Sequence, residues 1–142
     1  MAVQTYATRP GTLPEGTLVD LLLGAIDRLG DLPAYRLFTG PGSDLTTISY
    51  RDLFASQREA VGALRALGLQ RGERAAILSE NRIEWALVDQ ACLLEGVWDV
   101  PVHSVLTADQ VAYILRDCGA RVVFVSAEQT EKAREEIGRA HV

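Results

Sequence analysis

Apolar residues in the second half of the chain fall into short runs that alternate with helical spacings. The runs cover residues 74–78, 97–102 and 121–125, and each has the length of a buried strand. Between the runs, apolar residues recur every three or four positions, which places them on one face of a helix. Strands that alternate with helices predict right-handed βαβ units, so we expect an α/β fold with a parallel sheet.

The first half of the chain predicts a helix followed by a β-hairpin. Thr17 with Asp20 three residues later is typical of a helix start, and apolar residues follow at helical spacing until Gly30. Strand-like runs at residues 34–38 and 45–50 flank a turn rich in glycine and proline. Two such runs around a turn favour a hairpin.

A second helix is predicted after the hairpin. Ser49 and Asp52 have the spacing of a helix cap, and Gly68 ends the apolar stripe that follows them. We therefore expect three parts: an extended arm (1–16), a lead-in of helix, hairpin and helix (17–70), and the start of a parallel α/β subdomain (71–142).

Capping patterns predict two helix starts in the second half. Asn81 precedes Glu84 by three residues, and Thr107 precedes Gln110 by the same distance. The segment 128–139 is charged and has a thin apolar face, which predicts a final surface helix.

Length and charge exclude several classes of protein. The 142 residues make one domain or a large piece of a bigger one. A formal net charge of −5, with scattered Lys and Arg, argues against a nucleic-acid partner. Glu95 and Asp99 interrupt the longest apolar stretch, so no transmembrane segment is expected. The N-terminus lacks a secretion pattern, and the expected location is the cytoplasm.

Few residues carry candidate site chemistry. Cys92 and Cys118 belong to no Cys-x-x-Cys pair, which favours buried reduced thiols over a disulfide or a metal site. His103 follows a strand end, where open α/β sheets bind ligands, but a plain polar residue at a loop start is favoured. His141 is given no role. Residues 40–43 are interpreted as a hairpin turn rather than a phosphate loop.

The two tryptophans have different surroundings. Trp85 lies among aliphatic residues on a predicted helix, so core packing is favoured over a substrate platform. Trp98 and Asp99 interrupt a strand that would otherwise be aliphatic, and a buried Asp99 would need hydrogen-bond partners. Either this strand lies near a sheet edge, or Asp99 meets a partner from outside this sequence. A single usable histidine supports no convincing Ser/His/Asp or Cys/His set.

Ordered segments indicate a family more clearly than periodicity does. They are ISYRDL (48–53), ALRALGL (63–69), RGERAAILSENR (71–82) followed by EW (84–85), Gly96, VPV (100–102), AYIL (112–115) and GARVVFV (119–125). In order and spacing, about residues 17–130 resemble the N-terminal region of AMP-forming acyl-CoA synthetases of the acyl-adenylate-forming superfamily. The resemblance is strongest to the long-chain fatty-acid branch.

This resemblance implies a two-step ligase that joins a fatty acid to ATP as acyl-adenylate and then transfers the acyl group to coenzyme A. ATP, Mg²⁺ and coenzyme A are the implied cofactors. In that family the phosphate loop, the Glu for Mg²⁺, the Asp on the ribose and the catalytic Lys all lie downstream of this region. We therefore assign no catalytic, cofactor-binding or metal-binding residue here. The resemblance leaves open a homodimer and peripheral contact with a membrane.

Three sites depart from the family pattern. His103 and Ser104 stand where relatives often have Tyr and Pro. Ile83 and Ala108 each stand where Pro is frequent before or at a helix start. These departures bear on acyl specificity rather than on the fold.

Alone, the 142-residue chain is expected to be catalytically inert and to bind none of these cofactors fully. Adenylation requires ATP, Mg²⁺ and carboxylate to be positioned together, and the groups that do so are outside this region. The alternatives are a non-catalytic α/β binding or dimerisation module, and another acyl- or aryl-adenylate-forming enzyme. An unpaired edge on the third parallel strand would expose apolar surface, so we expect the isolated chain to dimerise or aggregate.

Overall fold

The computed structural model describes residues 16–38, 40 and 45–139, without the side chains of residues 135–139. The expected arm, the tip of the hairpin and His141 lie outside the described residues, apart from Gly16 and Gly40. In chain order the elements are α1 (Leu18–Leu29), β1 (Pro33–Leu37), β2 (Thr46–Ser49), α2 (Tyr50–Ala66), β3 (Arg74–Leu78), α3 (Ile83–Glu95), β4 (Trp98–Val102), α4 (Ala108–Cys118), β5 (Val122–Val125), a 3₁₀ turn (Ala127–Gln129) and α5 (Thr130–Arg139).

The predicted hairpin and parallel sheet are both present. β1 and β2 pair antiparallel, with Leu37 opposite Thr46. In the described part of the chain, the parallel sheet has the order β4–β3–β5. Ala75 of β3 lies opposite Asp99 of β4 on one side and Val122 of β5 on the other. The predicted α/β class is therefore confirmed.

Helices cover both faces of the parallel sheet. Ala75 of β3 packs in a cluster with residues of α2 and α3, including Leu64 and Cys92. Ala76 and Leu78 pack on the opposite face, in a cluster that contains residues of α4 and α5. The side chains of β3 from Ala75 to Leu78 are at most 1% exposed, so β3 is the centre of the core.

The outer edge of β4 explains the unusual strand sequence. The Trp98 N–H donates to the Glu73 carbonyl oxygen at 2.8 Å. Because hydrogen bonds alternate along a parallel strand, the backbone groups of Asp99 and Pro101 face away from β3. Pro101 has no N–H, and proline within a sheet is typical of an edge. Of the two alternatives for this strand, the edge position is the one found among the described residues.

Three of the four predicted caps are confirmed, and one is wrong. α3 begins after Arg82, whose side chain makes no capping hydrogen bond, so Asn81 lies one residue too early to cap it. The Glu84 carboxylate instead accepts from Arg82 Nε at 2.9 Å. The confirmed pairs are Thr17 with Asp20, Ser49 with Asp52, and Thr107 with Gln110.

Candidate functional site

A crevice opens at the carboxyl ends of β3 and β5. Its volume is about 330 Å³. Ile77, Trp85, Val88 and Phe124 form its apolar wall, and Ser79, Arg82, Glu84 and Ser126 lie among its polar residues.

The topology of the sheet places a crevice here. After β3 the chain enters α3, which packs with α2 on one face. After β5 it enters α5, which packs with α4 on the other face. Where neighbouring strands send the chain to opposite faces, a crevice forms outside their carboxyl ends, and open α/β sheets bind ligands at that point.

Glu80 links the segment that follows β3 to the segment that follows β5. Its carboxylate accepts from Ser126 Oγ at 2.7 Å and from Gln129 Nε2 at 2.5 Å. The hydrogen bond from Ser126, followed by that from Gln129, lowers the pKa of Glu80. The Ser126 N–H also donates to the Leu78 carbonyl oxygen at 3.1 Å. The start of α5 is thereby held against the end of β3.

Arg82 makes the second polar bridge across the mouth. Its Nε lies 2.9 Å from Glu84 Oε2, and its Nη1 lies 3.5 Å from Glu128 Oε2. The hydrogen bond and charge of Glu84 raise the pKa of Arg82, and the reciprocal hydrogen bond lowers the pKa of Glu84. Arg82 therefore links the start of α3 to the 3₁₀ turn after β5.

Trp85 is half-buried and lines the crevice. The core packing that the sequence favours for this residue is therefore not what the structure shows. Trp85 also lines an adjacent groove of about 270 Å³, together with Tyr35 and Leu37 of β1. Trp85 is therefore a shared wall between the parallel sheet and the hairpin.

His103 is exposed at the end of β4. Its carbonyl oxygen accepts from the Leu106 N–H at 3.2 Å, which is the contact of a tight turn. This position agrees with the favoured interpretation of a polar residue at a loop start.

Asp99 faces another carboxyl group, Asp89 of α3. The pKa of Asp89 is raised to about 6, chiefly by burial. The charge of Asp99 and the hydrogen bond between the two carboxyl groups add to this increase. The neighbouring Cys92 is fully buried, and burial together with the two aspartates raises the pKa of its thiol to about 12. Trp98, 68% exposed, lies at the amino end of the sheet and far from the crevice along β4.

The cysteines are free, as predicted. Cys92 is buried, whereas Cys118 is only half-buried and donates its thiol to the Leu115 carbonyl oxygen at 3.6 Å. Among the described residues, no three His, Cys, Asp or Glu side chains are grouped closely enough to hold a metal ion. In the same part of the chain, no helix combines the length and apolarity needed to cross a membrane.

Sequence reasoning missed the polar bridges of the crevice. The sequence singles out Glu80 and Arg82 only as members of the segment 71–82, and it does not single out Ser126. The available signal was positional, because Glu80 and Ser126 directly follow two parallel strands whose carboxyl ends meet at one edge.

Comparison with known proteins decides the family. A family model described as AMP-binding enzyme matches residues 25–142. The chain belongs to this family. The AMP-binding enzyme match takes in α2, the whole parallel sheet and the crevice, so the residues described above are part of the family region.

The proteins to which this chain is similar include both fatty-acyl and aryl CoA ligases. The long-chain-fatty-acid–CoA ligase FadD15 of Mycobacterium bovis is 36% identical over 93 residues, covering 66% of this chain and 15% of the relative. The structure of the anthranilate CoA ligase AuaEII with anthranoyl-AMP has a TM-score of 0.76 and 28% identity, covering 89% of this chain and 23% of that one. A Mycobacterium tuberculosis fatty acyl CoA synthetase has a TM-score of 0.71 and 25% identity, covering 81% and 22%. This chain thus spans less than a quarter of the length of each.

Proposed function

We propose that this chain forms the N-terminal part of an AMP-forming long-chain fatty acid–CoA ligase. Such an enzyme activates a fatty acid with ATP as acyl-adenylate and then forms a thioester with coenzyme A. The observation that carries the proposal is the 36% identity to FadD15 over 93 residues. The match of the family model to residues 25–142 supports the same ligase chemistry at a coarser level.

The contribution of this chain is proposed to be structural. The parallel sheet and its helices would form one wall of the enzyme, with residues 17–70 as its lead-in and residues 71–142 as the start of the α/β subdomain. ATP, Mg²⁺ and coenzyme A would be held by residues outside this sequence. The 142-residue chain alone is therefore expected to show no fatty-acid-dependent exchange of pyrophosphate into ATP.

The experiment is a substrate panel on the complete reading frame that encodes residues 1–142. Pyrophosphate exchange would be measured with palmitate, octanoate, benzoate and anthranilate at equal concentrations. Highest turnover with palmitate supports the proposal. Preference for an aromatic acid contradicts the long-chain assignment and supports an aryl-CoA ligase, the alternative that the likeness to AuaEII favours. No exchange with any acid, in a folded protein, would count against an enzyme of this class.

A non-catalytic pairing module is the second candidate, and the β5 edge favours it. The Ser126 N–H bonds to the Leu78 carbonyl oxygen, so by alternation the N–H groups of Val123 and Val125 face away from β3. Unlike the β4 edge, this edge contains no proline or charged residue within β5. Sedimentation at several concentrations tests this candidate. A dimer that forms as concentration rises supports it, and a concentration-independent monomer contradicts it.

A further inference from the structure

The polar wall of the crevice offers oxygen atoms that accept hydrogen bonds. Ser79 Oγ donates to the Glu80 carbonyl oxygen at 3.0 Å, and Ser126 Oγ donates to the Glu80 carboxylate at 2.7 Å. A hydroxyl group has a single hydrogen, and each is already used. The lone pairs that remain on these two oxygens can only accept, so a ligand that bonds to Ser79 or Ser126 must bring a donor.

The charge around the crevice also selects against anions. Glu84 and Arg82 line it, and two further carboxylates contact lining residues: Glu80 accepts from Ser126, and Glu128 pairs with Arg82. Arg82 also pairs with Glu84. Hydrogen bonds keep the pKa values of Glu80 and Glu84 low, so both are ionised at neutral pH. Three carboxylates against one guanidinium leave a surplus of two negative charges, which disfavours a bound carboxylate or phosphate.

The remaining wall is apolar and includes an aromatic side chain. Ile77, Val88, Phe124 and Trp85 form this wall. A volume of about 330 Å³ lies at the lower end of the usual size of ligand pockets, which begins near 300 Å³. An indole presents a flat face on which another ring can stack or pack edge-on. The space therefore suits one small ring rather than a long chain.

We propose that the crevice at the carboxyl ends of β3 and β5 binds a small aromatic ring that carries an N–H donor and no negative charge. The ring packs on Trp85 and the aliphatic wall, and the donor reaches the oxygens of Ser79 and Ser126. This site is separate from the adenylation chemistry proposed above, which rests on groups outside this sequence.

Three ring compounds of similar shape test the proposal: benzamide, benzylamine and benzoate. Each would be titrated into the ¹⁵N-labelled product of the complete reading frame while the indole N–H signals of Trp85 and Trp98 are followed by NMR. Trp85 lines the crevice, and Trp98 at the opposite end of the sheet is the internal control. We expect benzamide and benzylamine to shift the Trp85 signal alone, and benzoate to bind at least about tenfold more weakly, a difference of about 1.4 kcal/mol.

The same substitution at two positions separates binding from folding. Val88→Phe fills the crevice and is expected to abolish the Trp85 shift. Val105→Phe introduces the same ring at an 86% exposed position outside the crevice and is expected to retain the shift. Equilibrium dialysis of the same probes against both variants gives an independent readout. Equal binding of benzoate, equal shifts at both tryptophans, or no probe binding would each overturn the proposal. An inactive ligase would leave it standing, since binding of benzamide requires neither ATP nor coenzyme A.

Discussion

Strand β3 and helix α1 both have clear apolar patterns, but they differ widely in burial. In β3, the four residues from Ala75 to Leu78 are at most 1% exposed. In α1, the leucines also follow helical spacing, yet no residue is buried, and Leu18 and Leu21 are 66% and 47% exposed. An apolar stripe predicts that an element forms, but it does not say whether the described chain supplies a partner for that stripe. Stability should therefore be concentrated in the sheet.

The largest expected effect comes from making the same substitution, leucine to alanine, in β3 and in α1. Leu78→Ala removes a fully buried side chain from the sheet core and should lower the free energy of unfolding by about 3 kcal/mol. Leu21→Ala removes the same atoms from α1 and should lower it by less than about 0.5 kcal/mol. Urea unfolding followed by circular dichroism measures both. Equal losses would show that α1 is as firmly packed as β3.

The second test concerns the bridge that fixes α5 to the sheet. Ser126→Ala removes the hydroxyl that donates to Glu80 at 2.7 Å. Because the buried Ser126 loses its hydrogen bond to the half-buried carboxylate of Glu80, we expect the backbone amides of α5 to exchange about tenfold faster with solvent. Ser79→Ala is the matched control, since its hydroxyl bonds only to the neighbouring Glu80 carbonyl oxygen. Unchanged exchange in Ser126→Ala would exclude this bridge as an anchor.

The third test uses pH at the edge strand β4. The pKa of Asp89, about 6 in the folded chain, exceeds its unfolded value near 3.9. A raised carboxyl pKa contributes stability that is fully present below about pH 4 and is lost as pH rises through about 6. Asp99→Asn removes the neighbouring charge that contributes to this shift. The variant should therefore be more stable than the wild type at pH 7, by about 1 kcal/mol after screening by solvent is allowed for.

Unfolding curves at pH 4.5 and pH 7.5 check this sign. The advantage of Asp99→Asn should be present at pH 7.5 and absent or much smaller at pH 4.5. Other carboxylates with lowered pKa values, such as Glu73 and Glu95, act in both proteins and cancel in the difference. A variant that is less stable at pH 7.5 would contradict the repulsive arrangement of the two aspartates.

The sequence was a good guide to the elements and a poor guide to the site, for physical reasons. Strands β3 to β5 follow from local apolar spacing, and three capping pairs were predicted because a cap involves residues three positions apart. The bond between Glu80 and Ser126 joins residues 46 positions apart, so spacing carries no sign of it. The sequence places Trp85 in the core because its neighbours are aliphatic. The crevice beside it depends on which face of the sheet the chain covers after β3 and after β5, and local sequence does not show this.

The smallest expected effect concerns the caps of two helices, α4 on the sheet and α1 in the lead-in. Thr107 caps α4 and Thr17 caps α1, each with a reciprocal bond to the residue three positions later. Thr107→Ala should lower the free energy of unfolding by about 1 kcal/mol, because α4 packs on the sheet through the buried Val111 and Ala112. Thr17→Ala breaks an equivalent cap, but α1 buries no residue, so fraying of this helix should change global unfolding by less than about 0.3 kcal/mol. Comparable losses in urea unfolding would mean that α1 unfolds together with the sheet, and that its exposed leucines understate how tightly α1 is coupled to the core.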